Sequence, residues 1–162
     1  ATNSAGGIVG YSEGGGEMFG NSNSGSVSGK IAGGIMGDNE DDYYNLNDNA
    51  NYGDIKGDYQ AGGILGYTGS KDFDGKFTFD NSSNSGKVES NQSYAGGIAG
   101  EVRTDNQNHS FVNCTNMGLI SGNSSSGGIV GMMQGGAYFA NEHTMRINPD
   151  SYRAGILEID EC

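Results

Sequence analysis

Two histidines, two cysteines and a few acidic runs carry most of the catalytic or metal-binding chemistry in this 162-residue chain. His109 and His143 stand in polar sequence without ligand spacing to Cys, Asp or Glu, so each reads as a solvated loop histidine rather than a base or zinc ligand. Cys114 and Cys162 form no Cys-x-x-Cys pair and are too few for a disulfide framework; Cys114, beside Asn113, reads as an inert buried thiol. Calcium takes hard oxygen ligands, and Asp38, Glu40, Asp41 and Asp42 cluster four carboxylates, with Asp72 and Asp74 in a second run. Neither run has EF-hand spacing, and a solvated charged loop is the competing reading. No organic cofactor is expected. Sequons at Asn81, Asn91, Asn108, Asn113 and Asn123 would suit a secreted eukaryotic glycoprotein, although a chain so rich in Asn and Ser produces some by chance. Tyr11, Tyr67 and Tyr94 could stack on sugar rings or pack corners. Arg103, Arg146 and Arg153 are too widely spread to line a cleft with carboxylates.

What must position these side chains is a repeat. Gly-Gly-Ile-x-Gly returns five times, starting at Gly6, Gly33, Gly62, Gly96 and Gly127. The chain has 31 Gly, one Pro, no Trp and 33% hydrophobic residues, too little apolar material for an ordinary two-layer domain of this length. Collagen is excluded because Gly has no three-residue period and Pro is nearly absent. Low hydrophobicity with a net charge of -12 is also the signature of disorder, but disordered chains do not place Ile in phase five times. The acidic balance argues against nucleic acid and anionic membrane surfaces as partners. No apolar run is long enough to span a bilayer as a helix, so no direct membrane insertion is expected. The chain starts at Ala1 without a charged-then-apolar leader, which suggests a mature or excised piece.

A second element, Asn-x-Gly-x-Val/Ile, precedes the glycine element from Asn23, Asn51, Asn84 and Asn116, and Met18, Leu46, Phe79 and Phe111 each stand five residues before those asparagines. Three short strands and three turns fit such a repeat. The spacing predicts an all-β parallel β-solenoid of about five coils over residues 1–136, three short strands per coil. Residues 137–162 read as an atypical terminal coil, a cap or a lead into a following domain. Three ladders should form its core: Ile8, Ile35, Ile64, Ile98 and Ile129; Val27, Ile55, Val88 and Ile120; and Met18, Leu46, Phe79 and Phe111. Glycine has two candidate roles, positive φ at corners or close backbone approach. The phased asparagines suit corners, or an inward ladder. Runs 38–42, 70–76 and 103–108 read as loop insertions at one corner. Val9, Met36, Leu65, Ala99 and Val130 have parity opposite to the Ile ladder, which predicts an outward apolar stripe for assembly unless a glycine bulge turns both residues inward.

These elements resemble the GLUG-type repeat of bacterial surface and secreted proteins over roughly residues 1–136. That resemblance implies a β-solenoid on a cell surface or in a secreted molecule and carries no catalytic residues. Glu158-Ile159-Asp160-Glu161-Cys162 is similar to the opening of a calcium-binding EGF-like module, with Glu158 departing from the usual Asp or Asn, and implies a domain junction in an extracellular protein. The expectation is a non-enzymatic extracellular structural module of a filament, stalk or adhesin, partnered by copies of itself or adjoining domains. A glycan- or host-protein-binding module is the alternative, and a polysaccharide-acting β-helix enzyme comes third.

Overall fold

A computed structural model describes residues 3–40, 43–69 and 76–140, and within them every element is a strand. Successive coils pair in parallel, giving the β-solenoid that the spacing predicts; the five glycine elements bound about four turns. One sheet stacks Ser4–Gly6, Val27–Gly33, Ile55–Gly62, Val88–Ser90 and Ile120–Gly122, with Tyr94–Gly96 and Ser125–Gly127 alongside. A second carries Val9–Ser12, Met36–Asn39, Leu65–Gly69, Ala99–Val112 and Val130–Ala140, and curves back through Lys76–Thr78, Tyr43–Asn47 and Gly16–Phe19. The third is narrow: Ser22–Asn23, Ala50–Asn51, Ser83–Asn84 and Thr115–Asn116.

Parallel register turns each repeat position into a column. Val27 pairs with Ile55, Ile55 with Val88, and Val88 with Ile120, enclosing a small core with Ala32, Ala61 and Ala95. Met18 lies on Leu46, and Phe79 stacks on Phe111 with ring centroids 4.6 Å apart and planes 8° from parallel. These join Ile35, Ile64 and Ile98 in the larger core. One of the expected insertions is strand throughout, and another begins in strand. Asp38 is buried within Met36–Asn39, and 103–108 fall inside Ala99–Val112, where the surplus residues are taken up by a register shift between Arg103 and Asn108. The last strand runs past the expected boundary at 136, with Ala137 beside His109. Residues 141–162, and with them the EGF-like segment, lie outside the described residues.

The asparagines take the stronger of their two roles. Asn23 donates Nδ2–H to Asn51 Oδ1 at 2.8 Å, Asn51 to Asn84 at 2.7 Å, and Asn84 to Asn116 at 2.7 Å. Each also donates to the carbonyl two residues on, Gly25, Gly53, Gly86 and Gly118. For Asn23, Asn51 and Asn84 both amide hydrogens are therefore bonded, as burial of an amide requires. The glycines explain how the ladder fits. A Cβ on Gly63 would overlap the Gly97 carbonyl and the Asn84 side chain, so close approach is what the position needs. Positive φ falls elsewhere: at the outer corner it is taken by Gly20 (68°), Asp48 (57°), Asn81 (56°) and Asn113 (53°). Short polar side chains tolerate that region, and only one of these four corners is glycine.

Behind that corner runs a second inward column, Asn21, Asn49, Ser82 and Cys114. Asn49 donates to the Met18 carbonyl at 2.9 Å, Ser82 to Leu46 at 2.8 Å and Cys114 to Phe79 at 2.8 Å. Side chains of different size thus perform one task, satisfying a carbonyl of the preceding coil.

Replacing Asn51 with Ala leaves its neighbours' amide groups without partners in the interior, and we expect a loss of ~2–4 kcal/mol in denaturant unfolding. Gly63→Ala should cost at least ~2 kcal/mol through backbone overlap, whereas Gly14→Ala, with open space around its Cα, should change stability by under ~0.5 kcal/mol. Equal effects of the two glycine substitutions would contradict the packing described.

Candidate functional site

The expected outward stripe does not exist. Met36, Leu65 and Ala99 are wholly buried, and Val9 and Val130 are half-buried against the same core. The reason lies at the corner. The Ile35 carbonyl accepts both the Ile8 and the Val9 N–H at 3.0 Å; Ile64 does the same for Ile35 and Met36, Ile98 for Ile64 and Leu65, and Ile129 for Ile98 and Ala99. Two consecutive N–H groups aimed at one carbonyl break strand alternation, so both side chains turn inward. The bulge reading replaces the stripe.

Only two members of the proposed calcium cluster, Asp38 and Glu40, fall among the described residues. Asp38 is 6% exposed and accepts a hydrogen bond from Ser4 Oγ at 3.2 Å; Glu40 is half-buried and accepts from the Tyr11 hydroxyl at 3.2 Å. Asp41, Asp42, Asp72 and Asp74 lie outside the described residues, and among the described residues no three acidic, His or Cys groups converge as a metal site.

What the fold gathers instead is a column two residues beyond each stripe position: Tyr11, Asp38, Tyr67, Glu101 and Met132, paired in that order, the first four of them polar. Glu101 is fully buried, accepts from Gln60 Nε2 at 2.6 Å and pairs with Arg103 Nε. Asp38 Oδ1 has no hydrogen-bond partner. Burial pushes the Asp38 carboxyl up to about 6, against the lowering effect of the Ser4 hydroxyl and with the Glu40 charge adding to the rise. Tyr67 is also raised, by burial first and then by the Glu101 carboxylate. Tyr11 is raised as well, chiefly through its 2.8 Å bond to Glu13. Both carboxyls face protein rather than solvent; Glu101 has a counter-charge in Arg103, and Asp38, raised toward neutral pH, is the one the column equips to hold a proton. The aligned repeats contain this column, legible as the residue following the last glycine of each Gly-Gly-Ile-x-Gly.

His109 corrects its sequence reading. It is buried, its ring lies 5.7 Å from Phe77, and its Nδ1 accepts the Phe77 N–H at 3.2 Å. Burial lowers it to about 4. Cys114 is a half-buried thiol pushed up to about 12 by burial, against a bond with the Ser82 backbone that lowers it. His143 and Cys162 lie outside the described residues. The sugar-stacking tyrosines are separated: Tyr11 and Tyr67 flank Asp38, while Tyr94 sits on the first sheet beside Gln60. Among the sequons, Asn81, Asn91 and Asn123 are exposed; Asn113 is half-buried and donates to Asn81 Oδ1 at 3.1 Å. The side chain of Asn108 is outside the described set. Comparison with protein-family models, curated proteins and solved structures returns no match.

The histidine makes a signed prediction. Its folded pKa lies below the ordinary 6.5, so its contribution is present above pH 6.5 and is lost as pH falls through about 4. His109→Gln stays neutral throughout. Thermal or denaturant unfolding should show the stability gap moving in the variant's favour by ~2–3 kcal/mol between pH 7 and pH 4. A gap independent of pH would contradict a buried neutral imidazole.

Proposed function

We propose that this chain is a structural module of an extracellular filament, stalk or surface adhesin, holding surfaces apart or presenting loops. One observation carries the reading: the inward columns of the repeat are given over to coil-to-coil contacts, from the asparagine ladder to the stacked phenylalanines. Such a body lengthens by a fixed rise per repeat without changing its cross-section, which suits a spacer. The exposed sequons and the resemblance to GLUG-type repeats support a location outside the cell, and the net charge of -12 keeps such a chain soluble. Its partners on this reading are adjoining extracellular domains or copies of the same chain, and no catalytic step is assigned to it.

A presented binding module is the second reading, favoured by the exposed rings of Tyr11, Phe19, Tyr52 and Tyr59. They occupy separate columns, and so supply single contacts to a glycan or host protein rather than a continuous aromatic platform.

Immunogold electron microscopy of the native source is the test. Label on rods or fibres outside intact cells is the expected result; label confined to the cell interior would overturn the proposal. Extracellular label on dispersed monomers would shift the assignment to the binding module.

A further inference from the structure

The column of Tyr11, Asp38, Tyr67 and Glu101 joins the N-terminal coil to the next in an unusual way. Asp38 belongs to the second coil, on Met36–Asn39, yet its hydrogen bond reaches back to Ser4 of the first, and the rung covering it is Tyr11. Its second oxygen has no partner. Among the described residues, no lysine or arginine occupies its rung or either adjoining one, which are Tyr11 and Tyr67. Tyr11 bonds to Glu13 and Glu40, Glu40 adds negative charge from just beyond the end of the Asp38 strand, and Tyr67 lies on the other side. On Val27–Gly33, Ile31 stands at the Ser4 rung and Lys30 is exposed. Of the cations on this sheet, Arg103 lies two strands away and is committed to Glu101, and Lys76, on Lys76–Thr78, lies three strands away.

We infer that Asp38 is a proton-operated clamp on the N-terminal coil, which packs down on its neighbour when the carboxyl is protonated and loosens when it is ionised. An ionised carboxylate without a counter-charge is costly to bury, and undocking residues 4–23 is the movement that would hydrate it. The raised pKa of about 6 sets the direction. Docking stability is fully present below the ordinary carboxyl value of 3.8 and is lost as pH rises through about 6. His109 titrates with the opposite sign, but it sits in the core near Phe77 rather than at this coil.

Native-state hydrogen exchange, corrected for the intrinsic pH dependence of the chemistry, separates the two. Ile8 and Val9 report on the first coil, and Ile64 and Leu65, bonded to the Ile98 carbonyl, report on the interior. From pH 4.5 to pH 7 the opening constant at Ile8 and Val9 should rise ~10–100-fold in the wild type, more than at Ile64 and Leu65, and the excess should vanish in Asp38→Asn. No excess in the wild type, or the same excess in the variant, would overturn the clamp. Should Asp38→Asn not fold, carboxyl-carbon NMR of the wild-type protein decides: an Asp38 midpoint near 6 supports the clamp, and one near 3.8 overturns it.

Discussion

Backbone hydrogen bonding between successive coils is the constraint from which the rest follows. Parallel pairing holds neighbouring strands about 4.8 Å apart, so each side chain meets its equivalent one coil on. Groups that attract or fit their own kind can stack: Ile on Ile, Phe79 on Phe111, amide on amide. Groups that repel cannot be adjacent. In the acidic column, Tyr67 separates Asp38 from Glu101, which keeps two carboxyls off neighbouring rungs.

The same constraint ties the two sequence elements together. Each asparagine of the ladder lies against the second glycine of the preceding Gly-Gly-Ile: Asn23 on Gly7, Asn51 on Gly34, Asn84 on Gly63 and Asn116 on Gly97. A side chain on the glycine would displace the amide, and loss of the amide would leave carbonyls unpaired. The motifs are two halves of one contact.

The architecture was legible in the sequence because period and phase are properties of the chain itself: five glycine elements in step with four asparagines predict stacked parallel coils and the columns observed. The orientation of single residues was less legible. Strand parity placed Met36 and Leu65 outside, since parity presumes regular alternation, and a carbonyl shared by two N–H groups breaks it. Polar surroundings placed His109 in a loop, although Ser110 and Phe111 continue a strand whose inward position happens to carry an imidazole. Asp38 read as part of a charged run, whereas alignment on the glycines sets it between two tyrosine rungs. The signal for that column was present in the repeat phase and masked by local charge.

An interior built from columns makes the long axis uniform while leaving the corners free to vary, and the proposed spacer or presenting role rests on that property. The in-register ladder is the claim on which this account stands, and side-chain NMR tests it most directly. Nuclear Overhauser contacts between the Asn51 and Asn84 amide groups, and between Ile35, Ile64 and Ile98 methyls, are the predicted result. Contacts linking Asn51 to a different phase of the next repeat, or slow-exchanging antiparallel backbone pairs, would contradict it.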